Sequence, residues 1–392
     1  MHRLNTLLGM PQHRFASIHV VGTNGKSSVT RMTAALLDAH GVAAGAIVSP
    51  HLRRWAERIV VRGESLGPAE FATAVSRAAE AAEVVGRSLG EDVTQFEVAT
   101  AAGFLALAAA RVRVGVVEAG LGGRLDATNT IPSQVTVLTS VGLDHTEWLG
   151  DSEEEIAAEK LAVLRDNTTL VLGRVSGSVR ELAERTAAER GAQLVIAPED
   201  PGGAIVLRAR GAFQRRNLAL ARAAAEAFHG ALDPEVVAAV AAGVTIPGRL
   251  ELIVDEPPTY LDAAHNVDAA AALAEALPEV AGAGPVTACL AMLADKDAAG
   301  AVAALAPVLE NVVCTEIPAE TLHSQGRTGA SAHPAGDLAR ICREEGLDAE
   351  AEPDLGAALA RARELAASSP GGTLLITGSH YLLAPARAAL SG

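Results

Sequence analysis

"HVVGTNGKSSVT", residues 19–30, predicts the fold of the first half of the chain. The β-branched run that ends at Gly22 indicates a strand, and the residues from Lys26 to Gly41 have helical spacing. A glycine-containing loop between a strand and a helix exposes backbone N–H groups to an anion, and the helix N-terminus adds positive potential. We therefore predict that the phosphates of a nucleotide are bound by Gly22, Thr23, Asn24, Gly25, Lys26, Ser27 and Ser28.

The loop departs from the usual phosphate-binding pattern at its first position. That pattern begins with a glycine where Val20 stands here, so the first glycine of the loop is Gly22. The alternative interpretation is a simple turn whose lysine is only solvated. The strand before the loop and the helix after it favour a variant phosphate loop, because phosphate loops lie in that context.

The whole chain alternates apolar, β-branched runs with alanine-rich helical segments, which indicates an α/β, doubly wound fold. Its 392 residues exceed what one ordinary core holds. Pro247 and Gly248 interrupt the pattern within "GVTIPGRLE", residues 243–251. We therefore predict two domains, 1–247 and 248–392, and a hinge between them about which they close around a substrate.

Composition excludes several classes of protein. A net charge of −15 argues against a nucleic-acid partner. The longest apolar stretch, residues 98–110, is shorter than a bilayer span and predicts a buried helix, so no membrane partner is expected. Three cysteines without framework spacing favour free thiols, and no secretion signal is seen, which together predict a cytoplasmic protein.

Polar side chains follow three of the predicted strands in the first half. Ser49 follows the second strand, Glu118 ends the run "VRVGVVE", and His145 follows "QVTVLTSVG". Ligands of open α/β sheets bind at this edge, and oxygen ligands suit Mg²⁺ beside a triphosphate. We predict that these three residues bind a metal ion. Lys160, near the start of a helix, is interpreted from sequence alone as a solvated lysine.

Other polar residues leave alternatives open. Arg124 and Asp126 either pair with each other or contact a ligand. In the second half Arg249 lies at the hinge, and further polar residues end strands. Asp262 is suited to accept hydrogen bonds from ribose hydroxyls and His265 to contact a phosphate.

Ten motifs occur in one order along nearly the whole chain, among them "GTNGKSS", "SPHL", "TQFE", "GLGGRLDATN", "GLDHTEWLG", "FQRRN", "DAAHN" and "TGSHYL". In this the chain resembles the folylpolyglutamate synthase/dihydrofolate synthase family of the Mur ligase superfamily. "GTNGK" marks only the superfamily, whereas "GLGGRLDATN" followed by "GLDHTEWLG" is specific to the folate branch. The resemblance implies a P-loop ATPase-type domain followed by a smaller Rossmann-like domain.

The resemblance also implies an activity and a site. It implies an ATP-dependent ligase that adds L-glutamate to a folate or to dihydropteroate through an acyl phosphate, with two Mg²⁺ ions, acting as a monomer. It makes Lys160 a carbamylated metal ligand, which reverses the interpretation from sequence alone, and gives Lys26, Lys160, His265 and Ser379 catalytic roles. Nucleotide contacts are assigned to Asn217, Arg249 and Asp262. The folate or pteroate contacts are assigned to Thr94, Gln95, Phe96, Arg124 and Asp126.

The chain departs from the family pattern in three places. It begins with a shorter lead-in to the phosphate loop, which bears on the use of dihydropteroate; "DAAHN" replaces an Asp-Gly; and "AEKLAVL" replaces the usual residues after the lysine. Two other functions remain open at this point. One is a Mur-type ligase acting on a cell-wall precursor, and the other is a nucleotide-binding relative that does not ligate.

Overall fold

In the computed structural model, which describes residues 1–202, 205–326 and 329–391, the chain divides into two compact units. The first comprises Met1–Arg208 and Arg215–Val244, and the second comprises Ala209–Gln214 and Thr245–Gly392. The main division lies close to the predicted one between 247 and 248. The inclusion of residues 209–214 in the second unit has no counterpart in the sequence prediction.

The first unit is built on an eight-stranded sheet in the order β4-β3-β2-β5-β1-β6-β7-β8. The strands are β1 Ala16–Val21, β2 Ala44–Ile47, β3 Ile59–Val61, β4 Glu64–Ser65, β5 Val114–Glu118, β6 Ser133–Leu138, β7 Thr169–Leu172 and β8 Gln193–Ile196. Its helices are α1 His2–Leu7, α2 Lys26–Ala39, α3 Pro68–Leu89, α4 Gln95–Ala109, α5 Thr146–Leu149, α6 Glu153–Leu161, α7 Gly177–Glu189, α8 Ala212–His229 and α9 Pro234–Gly243, with 3₁₀ turns at Pro11–His13 and Trp55–Arg58. Helix α8 begins in the segment that belongs to the second unit.

Strand β1 lies in the middle of this sheet, parallel to β5 on one side and to β6 on the other. From β1 the chain crosses to β2, returns to β5 and then continues on the opposite side with β6. Strand order therefore reverses beside β1, and open α/β sheets bind their ligands in the crevice at such a switch point. Burial is continuous along β1 from Ser17 to Val21, with Ile18, Val20 and Val21 fully buried, as expected for a central parallel strand covered on both faces.

Helix α4 confirms the interpretation of residues 98–110 as a buried helix. It is apolar on all sides, and Phe104 and Leu107 are fully buried in the core that it shares with α3 and the sheet. Within the described ranges of the chain, no helix is long and apolar enough to cross a bilayer.

The second unit contains a six-stranded sheet in the order β13-β12-β11-β14-β10-β9. Its strands are β9 Glu251–Asp255, β10 Pro258–Leu261, β11 Val286–Leu290, β12 Asn311–Cys314, β13 Asp348–Ala351 and β14 Thr373–Thr377. Its helices are α10 Val267–Ala281, α11 Ala298–Leu305, α12 Ala319–Ser324, α13 Ala335–Glu344, α14 Leu355–Ser368 and α15 His380–Ser391, with a 3₁₀ turn at Ala306–Val308. Strands β9 and β10 pair antiparallel and the others pair parallel. The sheet thus brings the carboxyl ends of the neighbouring strands β10 and β14 side by side.

Candidate active site

The loop between β1 and α2 approaches other parts of the first unit so closely that two positions require glycine. Gly22 has φ +149°, and a Cβ there would lie 1.9 Å from Thr139 Oγ1. Gly25 has φ +82°, and a Cβ there would lie 2.7 Å from Asn217 Oδ1. Asn217, which the family resemblance assigns to the nucleotide, therefore lies against the phosphate loop.

The segment that follows β6 holds this loop in shape. Thr23 N donates to Ser140 O at 2.8 Å, and Asn24 N donates to Ser140 Oγ at 3.0 Å. Thr139 Oγ1 donates to Asn24 O at 2.6 Å, and Gly142 N donates to Thr23 Oγ1 at 3.1 Å. The sequence prediction missed these supporting residues. The only signal for them was that they follow the strand that turned out to neighbour β1.

Two lysines converge on the same backbone carbonyl of the loop. Lys26 Nζ donates to Gly22 O and to Thr23 O, both at 3.0 Å, and Lys160 Nζ donates to Gly22 O at 3.0 Å. Lys160 is only 3% exposed, so its interpretation from sequence alone as a solvated lysine is wrong. Burial, together with the charge of Lys26, lowers the pKa of Lys160 to about 7, against the attraction of Asp144 and Asp126.

Glu118 joins the phosphate loop to the segment after β2. Its carboxylate is buried, accepting a hydrogen bond from Ser27 Oγ at Oε1 and from Ser49 N at Oε2, both at 2.9 Å. Ser27 Oγ also lies 3.4 Å from Ser49 O. The structure therefore brings together one carboxylate and two serines at the carboxyl ends of β1, β2 and β5.

These oxygen atoms fit Mg²⁺ in particular. Among the residues that the structure describes, no three His, Cys, Asp or Glu side chains lie close enough to form a metal cage. Mg²⁺ is usually held by one or two carboxylates, with waters and substrate phosphates completing its octahedron. The buried carboxylate of Glu118, with the hydroxyl of Ser27 beside it, is such a donor set.

His145 lies at the edge of the same region, on the loop that leaves the Thr139–Gly142 support. It has left-handed backbone geometry, φ 54° and ψ 39°, as the N-cap of α5. Its Nε2 lies 3.8 Å from Asp144 Oδ1, and the charge of Asp144 acts in turn on Lys160. The sequence prediction named His145 and passed over the role of Asp144.

The glycine-rich segment after Glu118 is folded around Asp126. Asp126 Oδ2 accepts from Gly120 N and Leu121 N, both at 2.9 Å. Arg124 pairs with Glu159, with Nε 3.0 Å from Oε2. The alternative in which Arg124 and Asp126 pair with each other is therefore wrong, since each side chain has a different partner.

The predicted acceptor segment 94–96 reaches this loop through one residue. A Cβ on Gly120 would lie 2.4 Å from Phe96 Cζ, so the ring packs directly on the Gly120 backbone. Thr94 caps helix α4 by accepting from Glu97 N, and Gln95 is the first residue of that helix. Phe96 is therefore the member of the segment that packs on the loop after β5.

The segment after Ser49 contains a stacked cluster that the sequence prediction did not identify. Arg58 Nε donates to His51 Nδ1 at 2.9 Å, and the Arg58 guanidinium lies 4.2 Å from the Trp55 ring centre. Burial and the charge of Arg58 lower the pKa of His51 to about 4. Glu57 binds the backbone N–H groups of Leu52 and Arg53, so the segment has a fixed shape.

In the second unit, the side chain of Asp262 joins the residue before β9 to the loop after β10. Its carboxylate is 3% exposed and accepts from Leu250 N at Oδ2 and from Ala264 N at Oδ1, both at 2.8 Å. Burial raises the pKa of Asp262 against the nearby positive charge of Arg249. Asp262 and Arg249 are thus neighbours, as their shared assignment to the nucleotide requires.

His265 and Ser379 lie on adjacent loops after β10 and β14. His265 Nδ1 is 2.8 Å from Ala263 O, and Gly378 N donates to Ala264 O at 3.1 Å, which ties the two loops together. Ser379 is buried and accepts from Tyr381 N at the start of α15. The two residues predicted near the reaction centre therefore lie at one edge of the second sheet.

Comparison with known proteins identifies the family. Residues 248–380 match the model of the Mur ligase, glutamate ligase domain. The chain is 38% identical over 353 residues to the dihydrofolate synthase/folylpolyglutamate synthase of Mycobacterium tuberculosis, covering 80% of this chain and 72% of the relative. The chain belongs to the folylpolyglutamate synthase/dihydrofolate synthase family.

Solved structures of this family have the same fold. The Mycobacterium tuberculosis folylpolyglutamate synthase complexed with ADP matches with a TM-score of 0.89 and 33% identity, over 100% of this chain and 93% of the other. A bifunctional folylpolyglutamate synthase/dihydrofolate synthase with Mn, AMPPNP and L-glutamate bound matches with a TM-score of 0.82 and 28% identity, over 100% of this chain and 94% of the other. The predicted α/β architecture of the family, with a doubly wound first domain and a smaller second one, is confirmed.

Proposed function

We propose that this chain is an ATP-dependent ligase that joins L-glutamate to the carboxyl group of a folate. The observation that carries the proposal is the convergence of Ser27, Ser49 and Glu118 on the phosphate loop at the switch point of the first sheet. Family membership supports a folate as the acceptor, because the relatives are named for folate substrates. Relatives of the same fold bind a nucleotide, a divalent metal and L-glutamate.

The reaction has two steps. A carboxylate oxygen of the folate attacks the γ-phosphorus of ATP, forming an acyl phosphate as ADP leaves; the amine of L-glutamate then attacks the acyl carbon, and phosphate leaves with the amide formed. The first step brings two anions together, so positive charge must offset their repulsion. The Gly22–Gly25 backbone and Lys26 bind the phosphates, and Lys26 must exchange its bonds to the loop carbonyls for phosphate oxygens.

Ser27, Ser49 and Glu118 would hold a Mg²⁺ ion, whose charge would neutralise the phosphate oxygens. A second Mg²⁺ site at His145 and a carbamylated Lys160 is part of the proposal. Carbamylation joins the neutral amine of a lysine to CO₂ and releases one proton, and a buried lysine with a pKa of about 7 offers that neutral amine. Asn217, Arg249 and Asp262 would contact the nucleotide, and His265 and Ser379 would lie near the reacting groups.

The remaining parts of the proposal concern the acceptor and the assembly. Thr94, Gln95, Phe96, Arg124 and Asp126 are proposed to form the folate or pteroate side of the site. Residues 1–247 are proposed to form the ATP-binding domain and residues 248–392 the ligase domain, which adds Arg249 and Asp262 to the nucleotide contacts. The enzyme is proposed to be a cytoplasmic monomer, and both tetrahydrofolate and dihydropteroate are candidate acceptors.

The test is ADP release with ATP, Mg²⁺ and L-glutamate, with either tetrahydrofolate or dihydropteroate as acceptor. We expect glutamate-dependent release with tetrahydrofolate. Release with both acceptors would make the enzyme bifunctional. A lack of glutamate-dependent turnover with either would contradict the proposal and favour another Mur-type amide ligase or a relative that binds nucleotide without ligating.

A further inference from the structure

A buried line of hydrogen bonds runs from the middle of β1 to the loop after β5. The side chains of His19 and Thr128 are both fully buried, and His19 Nε2 lies 2.8 Å from Thr128 Oγ1. Thr128 Oγ1 in turn lies 2.5 Å from Asp126 Oδ1. His19 precedes the phosphate loop in sequence, and only the fold places it beneath the acceptor side of the site.

The direction of each hydrogen bond follows from the number of protons available. A hydroxyl has one proton and a carboxylate has none to donate, so Thr128 donates to Asp126 and accepts from His19. The ring of His19 must then carry a proton on Nε2. Its Nδ1 has no partner among the residues that the structure describes. Burial, with a contribution from Arg165, lowers the pKa of His19 to about 3, which keeps the ring neutral.

Asp126 uses this support to shape the turn that follows Glu118. Oδ2 accepts from Gly120 N and Leu121 N, and Oδ1 accepts from Thr128 N as well as from its hydroxyl. A carboxylate has about four acceptor positions, and the chain itself fills them here. The carboxylate is therefore held in one orientation, and the turn is held with it.

That turn forms the surface against which Phe96 packs. A Cβ on Gly120 would lie 2.4 Å from Phe96 Cζ and 3.1 Å from Asp126 Oδ2, so the Gly120 backbone packs against both the ring and the carboxylate. We propose that His19 is a positioning residue for the aromatic acceptor, acting through Thr128 and Asp126 on the turn that supports Phe96. This inference rests on the proposed function.

The test replaces the central hydroxyl. Thr128→Val keeps the shape of the side chain and removes both hydrogen bonds, leaving a buried donor and acceptor unpaired. We expect KM for the folate acceptor to rise about tenfold or more while KM for ATP changes less than about twofold. Thr128→Ser, which restores the hydroxyl, should return KM for the acceptor most of the way to its wild-type value.

Thr136→Val is the matched control. Thr136 is also a fully buried threonine, it lies opposite His19 in the β1–β6 register, and its hydroxyl has no partner among the described residues. The same substitution there should leave both KM values unchanged. If Thr128→Val lowers only the melting temperature, or if the two variants change KM for the acceptor equally, the positioning role is wrong.

A second measurement tests the hydrogen-bond line without turnover. In the full chain with ¹⁵N-labelled histidine, the imidazole of His19 should show the Nε2–H form, unchanged between pH 8 and pH 5. An Nδ1–H form, or protonation within that range, would overturn the inference. A wild-type protein without glutamate-dependent ADP release would instead contradict the proposed function, and the imidazole spectrum would still decide whether the line exists.

Discussion

Glu118 is a buried carboxylate whose two oxygens accept hydrogen bonds from Ser27 Oγ and Ser49 N. We expect the affinity for Mg²⁺ to depend on its negative charge more than on the shape of the side chain. Glu118→Gln keeps the shape and removes the charge. We expect the Mg²⁺ concentration for half-maximal ADP release to rise about tenfold or more. Glu64→Gln, on the exposed edge strand β4, is the control. An unchanged Mg²⁺ titration in the Glu118 variant would refute its metal role.

Lys160 is proposed to carry a carbamate. The negatively charged carbamate can bind Mg²⁺, whereas the positively charged ammonium of an unmodified lysine cannot. We expect Lys160→Ala to lose at least about 99% of ligase activity, since removing one group that stabilises transition-state charge costs about a hundredfold or more. Short carboxylates such as formate or acetate should restore part of the ligase activity by occupying the space left by the lysine side chain. In wild-type enzyme with ¹³C-bicarbonate, a carbamate carbon signal should appear that the variant lacks. A variant as active as wild type would exclude carbamylation from the mechanism.

The lowered pKa of His19 predicts how the free energy of unfolding depends on pH. Its pKa is lowered to about 3 in the fold by burial and Arg165, against 6.5 for a histidine in water. The unfolded chain therefore binds a proton as pH falls below 6.5 and the folded chain does not, so this residue's contribution to stability falls with pH until about pH 3. At pH 5 the loss should be about 2 kcal/mol relative to pH 8.

Urea unfolding of the wild type and of His19→Gln at pH 8 and pH 5 measures how much His19 contributes to the pH dependence of stability. The glutamine keeps a donor near the position of Nε2 and does not titrate in this range. The free energy of unfolding should therefore fall less between the two pH values in the variant, by about that 2 kcal/mol. Parallel losses in the two proteins would show that His19 does not carry the dependence.

At the scale of elements, the strand–loop–helix formed by β1 and α2 depends on the contact between its loop and the segment after β6. Gly22→Ala would place a Cβ 1.9 Å from Thr139 Oγ1 at a φ of +149° that alanine rarely adopts. We expect loss of detectable ADP binding by calorimetry in a protein whose far-UV circular dichroism is unchanged.

Gly177→Ala is the control for that substitution. Gly177 is the first residue of α7, and a Cβ there meets nothing within 4 Å. Nucleotide affinity should be unaffected, and stability should be unchanged or slightly higher because alanine favours a helix. Normal ADP binding by Gly22→Ala would mean that the loop tolerates displacement from Thr139.

Strands with strong apolar runs were predicted from sequence, and the short strands β3, β4 and β13 were not. Strands β1, β2, β5 and β6 follow from buried aliphatic runs that end in glycine or polar residues. Strands β3 and β4 have only three and two residues, and β13, at the edge of the second sheet, has the sequence "DAEA", whose only apolar residue type is alanine. A strand of two to four residues with few large apolar side chains is defined by pairing with its neighbour, and its own sequence carries little of that information.

For the whole molecule, each unit has a hydrophobic core of its own. Phe104 is fully buried in the first unit and Leu375 in the second. We expect Phe104→Ala to cost about 3–5 kcal/mol and Leu375→Ala about 2–5 kcal/mol. In calorimetry of the full chain, each should lower a different thermal transition. A single transition lowered by both would show that the units unfold together.

The sequence by itself determined the phosphate loop, the alternation of strands and helices, the residues at strand ends and the family. These are properties of contiguous residues, so local spacing records them. Only the tertiary structure decided which distant segments meet: the support of the loop by Thr139 and Ser140, the burial that lowers the pKa of Lys160, and the line from His19 to Asp126. The physical reason is that strand order and burial depend on pairings between residues far apart in the chain, and a pKa or a hydrogen-bond partner exists only once those pairings have formed.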